Sequence, residues 1–299
     1  MKGVIKELKK NHFDFIIVEG NETQVLQIRK YYNGKLYFHA HHDAFNTCNG
    51  NPIKIINECD KIIVVSEYIK RKTLELCTDD SKVSVVKNST NVNIFNKELY
   101  LNERNKLREN YNIKDDEIAI MFTGRIIKEK GIKELIEAFK RIGTDKKVKL
   151  IIIGNAGFAN EVTSSYDKEI LELSKDMGEK IIFTGFIHNS ELPKIHSMVD
   201  IAVVPSIWEE PAGLVAIEAL SSGLPLIITN SGGISEYVSE KCAVIVEKDK
   251  NLISNMTYAL EKLIDNKELR ENMSIEARKH AYKYDIKSYY NDYITLLKG

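Results

Sequence analysis

Ten short apolar runs, separated by amphipathic stretches, constrain this chain more than any other feature. They are FDFIIV (13–18), KLYFHA (35–40), KIIVV (61–65), KVSVV (82–86), EIAIMF (117–122), KLIIIG (149–154), KIIFTG (180–185), DIAVV (200–204), PLIIT (225–229) and CAVIV (242–246). They are rich in Ile and Val and continuous rather than alternating, as expected for strands covered on both faces. The stretches between them, such as GIKELIEAFKRI and KEILELSKDM, have helical periodicity. Strand–helix alternation predicts parallel sheets with right-handed crossovers. Residues 88–116 are polar and carry no strand signal, with four β/α units before them and six after. The expected fold class is therefore α/β, with two Rossmann-like, doubly wound parallel-sheet domains. The first covers 1–110 and the second 111–299, the latter closing with helices after its last strand.

The charge balance removes one class of partner. Lysine plus arginine equals aspartate plus glutamate, 43 each, so the net charge is zero. General nucleic-acid binding needs a basic excess or stripe. Lysines do cluster in EYIKRK and MKGVIKELKKNH. Such runs are ordinarily solvated helix faces, and a peripheral contact with an anionic membrane is the other reading. Cys48, Cys59, Cys77 and Cys242 show no C-x-x-C spacing, which fits reduced thiols and a cytoplasmic location. The N-terminus lacks an apolar signal region, and no run approaches the ~18 apolar residues that span a bilayer.

The candidate chemistry centres on EEPAGLVAIEAL (209–220), which follows the run DIAVV. Ligands of doubly wound sheets sit beyond the carboxyl ends of strands. Glu210 precedes a proline and so belongs to the loop. Pro211 suits the first helical turn, and Gly223 the helix stop. The amides around Gly213, Leu214 and Val215 then present unpaired donors at a positive dipole end, which suits a phosphate. Glu218 lies roughly 7.5 Å further along the helix, with its side chain tilted back toward the same ligand. Alone, this spacing is weak, and is better met by Glu210 capping the helix dipole and Glu218 making a surface ion pair.

Other strand ends add to it. MFTGRIIKEKG places Gly124, Arg125 and Lys130 after a strand, two cations suited to a diphosphate. IIIGNAG supplies Gly154 and Gly157 in a loop that can lie against a ligand, without a G-x-G-x-x-G fingerprint. FTGFIHNSEL offers backbone groups to a base, with Ser190 as a helix N-cap. TNSGGISEYV gives Gly232 and Gly233. LYFHAHHDAF puts His39, His41, His42 and Asp43 at a strand end. Residues 39 and 41 share a face and 42 points away, and a lone strand end lacks the second group of ligands a metal needs. A sugar or acceptor contact is the favoured reading there, with a structural histidine the next.

In this order, the segments DKIIVVSEYIKR, VVKNSTNVNIF, FTGRIIKEKGIKELIEAF, LIIIGNAG and IIFTGFIHNSELPKIHSMVDIAVVPSIWEEPAGLVAIEALSSGLPLIITNSGGISEYV resemble the retaining glycosyltransferases of the GT-B group 1 family, or family 4. The resemblance covers about residues 60 to 299. It implies two domains facing a cleft and a nucleotide-diphosphate sugar as donor, most often UDP-linked. It implies Glu210 toward the donor sugar, Glu218 on the ribose hydroxyls, and Arg125 and Lys130 on the pyrophosphate. The amides of Gly213 to Val215 match the family's phosphate site, and Ile187 its base-reading loop. A histidine near the donor sugar corresponds to His41, with His42 second. No metal or other cofactor is expected. The acceptor would be a glycan or lipid-linked molecule of cell-surface polysaccharide or glycolipid synthesis.

Two departures from the family pattern stand out. The first domain is short, as if truncated by ~70–90 residues, so a partner chain is expected to cover an exposed edge. The family's NGVD segment is NSTN (88–91) here. The competing readings are a nucleotide-sugar-binding subunit that needs a partner chain, and an epimerase on the same architecture.

Overall fold

All ten apolar runs form strands, and they divide into two separate parallel sheets. The structure, a computed structural model, is described for all residues except 49, 144, 155–163 and 299. The chain forms two compact units, one of Met1–Asn88 with Tyr289–Gly299, the other of Ser89–Ser288.

In the first unit the order is α1 (Lys2–Leu8), β1 (Phe15–Glu19), α2 (Thr23–Arg29), β2 (Lys35–Ala40), α3 (Pro52–Glu58), β3 (Lys61–Val64), α4 (Glu67–Leu74) and β4 (Val83–Val85). Its sheet runs β1-β2-β3-β4, every pair parallel. The central strands carry the core, with Leu36, Phe38, Ile62, Ile63 and Val64 fully buried. Edge strand β1 alternates instead, leaving Phe15 and Glu19 exposed. Side-chain caps start two helices: Asn51 accepts from Lys54 N at 3.0 Å and Ser66 from Ile69 N at 3.1 Å.

The second unit contains α5 (Leu101–Asn110), β5 (Ile118–Thr123), α6 (Ile132–Lys140), β6 (Val148–Ile153), α7 (Ser165–Ser174), β7 (Ile181–Gly185), α8 (Leu192–Met198), β8 (Ile201–Val204), α9 (Leu214–Ser221), β9 (Leu226–Thr229), β10 (Ala243–Val246), α10 (Leu252–Asp265) and α11 (Lys267–Ala281). Its strands run β10-β9-β8-β5-β6-β7, all parallel. The sheet explains the continuous apolar runs. In β5, Met121 packs into the core on one face and Ile120 and Phe122 into the core on the other. Helix α6 buries Ile132, Leu135, Ile136 and Phe139, the i, i+3, i+4, i+7 stripe of a surface helix. Burying each such side chain contributes about 1.5–3 kcal/mol.

The division falls at residue 88/89 rather than near 110. Two arginines tie α5 into the second unit. Arg108, 2% exposed, donates to the carbonyls of Met198 (2.8 Å), Lys114 (2.6 Å) and Glu117 (2.6 Å). Both Arg108 and Arg104 pair with Asp200, whose Oδ2 also accepts from Ala119 N at 2.8 Å. The polar sequence of α5 therefore anchors by charge and hydrogen bonds, which an apolar pattern cannot reveal. The last helix, α12 (Ile286–Lys298), groups with the first unit from Tyr289 onward, whereas the sequence assigned it to the second domain. Among the described residues no helix is long and apolar enough to cross a membrane.

Replacing Arg108 with alanine leaves three carbonyls without this donor and Asp200 with one partner fewer. The expected loss is about 3 kcal/mol or more of unfolding free energy, read as a lower denaturant midpoint.

Candidate active site

Strands β5 and β8 lie side by side, and from them the chain order of the second sheet runs outward in both directions. Doubly wound sheets open a crevice at this switch point, beyond the carboxyl ends of the two strands. The segments leaving those ends are Gly124–Lys130 after β5 and Pro205–Gly213 after β8. Ile207 N and Trp208 N both donate to the carbonyl of Glu129, at 3.0 and 3.3 Å. Gly131 sits at φ 67°, and a Cβ there would fall 1.8 Å from the carbonyl oxygen of Pro205. A glycine is required for both the left-handed backbone and the close approach.

This stitching brings two predicted residues together. Lys130 Nζ lies 2.6 Å from Glu210 Oε1. Glu210 is 8% exposed, and the same oxygen accepts from Ser206 Oγ at 2.5 Å. Its carbonyl accepts from Gly233 N at 2.6 Å. Gly232, at φ 61°, packs so closely that a Cβ would lie 2.4 Å from that carbonyl oxygen. Thr229, ending β9, donates to the carbonyl of Ser206 at 2.5 Å, and Ser231 Oγ donates to that of Trp208. Glu210 is thus fixed from three sides, its charge compensated by Lys130. A partly buried carboxylate needs such compensation.

The start of α9 lies just beyond. Gly213 is its N-cap and offers no side chain to the first-turn amides. The first intrahelical bond runs from Ile217 N to Gly213 O at 2.9 Å, so the amides of Leu214 and Val215 have no intrahelical acceptor. The sequence placed Pro211 in the first helical turn. Instead α9 begins at Leu214, and Pro211 stays in the loop. One turn along, the Glu218 carboxylate makes no hydrogen bond among the described residues, and burial pushes its pKa up to about 7. His196, fully buried and bonded to Ser222 Oγ at 2.8 Å, supplies no compensating cation, because burial pushes its pKa down to about 3. A desolvated carboxylate unpaired among the described residues, beside a helix start, is a candidate binding position.

The remaining predicted residues are more dispersed. Arg125 is exposed and makes no ion pair among the described residues. Gly124 and Gly154 touch, since a Cβ on Gly154 would fall 1.9 Å from the carbonyl oxygen of Gly124. Gly157 lies outside the described residues. Ile187 is half-buried against the core in the segment after β7. Ser190 is not the N-cap of α8; Glu191 holds that position, and the Ser190 hydroxyl bonds His188 Nδ1 at 2.9 Å. The sequence missed Ser206 and Thr229, whose roles depend on contacts between successive strand ends.

The histidine cluster belongs to the first unit. Here the sequence found no second ligand group, and the structure provides one. Glu19 ends β1, in register with His39 on β2. Glu19 Oε2 lies 2.8 Å from His41 Nε2 and 3.1 Å from His39 Nδ1. The three are the described residues whose ligand atoms converge enough to hold a metal. His42 is half-buried and stands apart from that group.

An ion-paired acid, a helix start whose first amides lack an intrahelical acceptor, and a second acid unpaired among the described residues suit an anionic ligand carrying hydroxyl groups. Residues 103–280 match the family described as glycosyl transferases group 1. The chain belongs to this family of glycosyl-transferring enzymes. It is 28% identical to YtcC of Bacillus subtilis (strain 168), over 94% of this chain and 71% of that one. It is 30% identical to the lipopolysaccharide 1,2-N-acetylglucosaminetransferase of Salmonella typhimurium (strain LT2), over 75% of this chain and 57% of the relative. Its fold matches Anabaena HepE, solved in complex with UDP, with a TM-score of 0.86 at 17% identity, over 99% of this chain and 81% of HepE. The two-unit parallel α/β architecture is thus that of the GT-B fold.

Gly131→Ala would force the backbone at position 131 away from the Pro205 carbonyl. It is expected to destabilise the chain by more than about 1 kcal/mol in chemical denaturation, while an exposed alanine substitution at Lys128 stays within about 0.5 kcal/mol.

Proposed function

We propose that the chain transfers a glycosyl group, with retention of anomeric configuration, from a UDP-linked sugar to a hydroxyl of a glycan or lipid-linked acceptor. The observation that carries this reading is the Lys130–Glu210 pair at the strand switch point, one helix start away from the unpaired Glu218. The UDP complexes of HepE support the choice of nucleotide. A Staphylococcus aureus relative named for capsular polysaccharide biosynthesis, with the Salmonella lipopolysaccharide enzyme, supports a cell-surface glycan as product.

The diphosphate lies against the amides of Leu214 and Val215, with Arg125 and Lys130 beside it. An ammonium carries three donors, so Lys130 keeps Glu210 and still reaches a phosphate oxygen. Glu218 accepts from the ribose hydroxyls. Glu210, with Oε1 occupied by Lys130 and Ser206, offers Oε2 to the sugar hydroxyls and orients the ring. As the bond from the anomeric carbon to the diphosphate oxygen breaks, the electron pair leaves with the diphosphate. The cations and amides stabilise that charge. The acceptor oxygen forms its bond on the same face, and its proton passes to the departing phosphate oxygen. No metal ion takes part, so EDTA should leave the rate unchanged.

Purified full chain incubated with UDP-sugars should be stabilised by its donor, by about 2.7 kcal/mol at 100 times the dissociation constant. It should release UDP in an acceptor-dependent way. Donor binding without turnover would leave a binding subunit instead, and release of free sugar without acceptor an epimerase. Glu210→Gln should lower kcat by about 10²-fold or more with a smaller effect on donor affinity.

Glu218 also predicts a pH dependence. Its ionised form accepts both ribose hydroxyls, and burial holds its pKa near 7 in the unliganded chain, so donor affinity should rise as pH rises through about 7. Glu218→Gln should bind more weakly and lose that rise, measured by calorimetry at pH 6 and 8.

A further inference from the structure

At the other end of α9 from Leu214 and Val215, a recess of about 460 Å³ opens beside Gly223. The helix has eight residues, so the recess lies roughly 12 Å from those amides, toward the opposite edge of the sheet. Lys97 and Arg278 line it, with Lys279, Tyr282 and Ile275. Lys97 Nζ donates to the Gly223 carbonyl at 3.1 Å and to Ser274 Oγ at 3.0 Å. Ser274 Oγ donates to the same carbonyl at 2.6 Å. Arg278 turns Nη1 toward the carbonyls of Val92 (2.5 Å), Phe95 (3.1 Å) and Ser221. Its guanidinium carbon stands 5.2 Å from the centre of the Tyr282 ring. Lys279 pairs with Glu276. Lys97 and Arg278 make no ion pair among the described residues; their partners are neutral oxygens.

The geometry points to a second anion site in this unit: the recess takes a small phosphate ester, with the phosphate on Lys97 and Arg278 and the organic part against Tyr282 and Ile275. The site stands apart from the strand ends and does not depend on the glycosyl-transfer reading.

Helix capping explains why the two cations are here, since they meet the negative end of α9. It does not neutralise them. A helix end carries about half an elementary charge, against two full charges. The acid lining the recess is Glu98, which is exposed and pairs with neither cation. Burial pulls the Lys97 pKa below its usual value, a cost that a bound anion would relieve. Donors remain for such a ligand. An ammonium has three, and Lys97 uses two on Gly223 and Ser274. Arg278 keeps Nε–H and one proton of Nη2, the side-on pair of the guanidinium, because Nη2 meets only the Tyr282 hydroxyl, at 3.4 Å. Three donors of this kind match the three terminal oxygens of a phosphate ester better than the two of a carboxylate. The volume is that of a small-molecule pocket. Ile275 and Tyr282, 55% and 51% exposed, give it an apolar wall for the ester group.

The test is a titration of the full chain with phenyl phosphate, followed by the phosphorus NMR line width, with phenol as the probe that lacks the phosphate. Phenyl phosphate should bind saturably below about 10 mM, and phenol should not. Lys97→Met should weaken phenyl phosphate by about tenfold or more. That variant is expected to fold, because the Gly223 carbonyl keeps its Ser274 donor. Glu98→Gln, an exposed change, gives a second reading in the opposite direction and should tighten binding by about twofold. Arg125→Ala, at the strand ends, should leave the affinity within about twofold. Equal affinity in wild type and Lys97→Met would overturn the inference. So would a loss confined to Arg125→Ala, which would put the probe at the strand ends, or the absence of saturable phenyl phosphate binding.

Discussion

The ion pair between Lys130 and Glu210 is the contact around which the second unit arranges its candidate site. It joins the segment after β5 to the segment after β8, at the one place in a doubly wound sheet where neighbouring strands send their connections in opposite directions. Several local features converge on it. Gly131 lets the first segment pass against the Pro205 carbonyl, Glu129 accepts two amides of the second, and Gly232 and Gly233 close on the Glu210 backbone. Each is a backbone constraint, and together they hold an acid nearly out of water with a cation against it. The arrangement is costly in desolvation and specific in position, which is characteristic of a site built for charge stabilisation rather than for stability.

Much of this was legible in the sequence. The ten strands read directly from their Ile and Val runs, because strands buried on both faces leave no polar alternation to confuse them. The position of Arg125, Lys130 and Glu210 beyond strand ends, and of Glu218 on the helix that follows, came from the same runs. Strand neighbours did not follow. That β5 lies beside β8 is a fact of three-dimensional order, as is the neighbourhood of β8 and β9 that brings Thr229 to the Ser206 carbonyl; Ser206 was missed because its bond to Glu210 is set by the fold of the loop. The unit boundary was displaced for a different cause: α5 is polar and its anchorage is carried by buried arginines. Pro211 and Ser190 show the limits of helix-start rules when a tertiary contact sets the loop. Gly213, with no capping side chain, begins α9 later than the proline suggests.

The first unit illustrates the same point. The histidines at the end of β2 were visible as a group, and the alternation of a strand, continued one residue past its end, put His39 and His41 on one face. Their partner Glu19 lies twenty residues or more earlier, on a strand whose own pattern gives no hint of a role. The register of β1 against β2 brings the three together. In both units, the candidate groups gather where adjacent parallel strands end, and the acid in each case is held by a basic side chain from its neighbour.

If Lys130 and Glu210 act as one unit, their substitutions must not add. A double-mutant cycle of Lys130→Met and Glu210→Gln, read as kcat/KM for the UDP-sugar donor, tests this most directly. The account predicts that the double variant loses little more than the worse single variant, a coupling of about 1 kcal/mol or greater. Losses that add to within about 0.3 kcal/mol would contradict it, because the two residues would then serve the ligand independently.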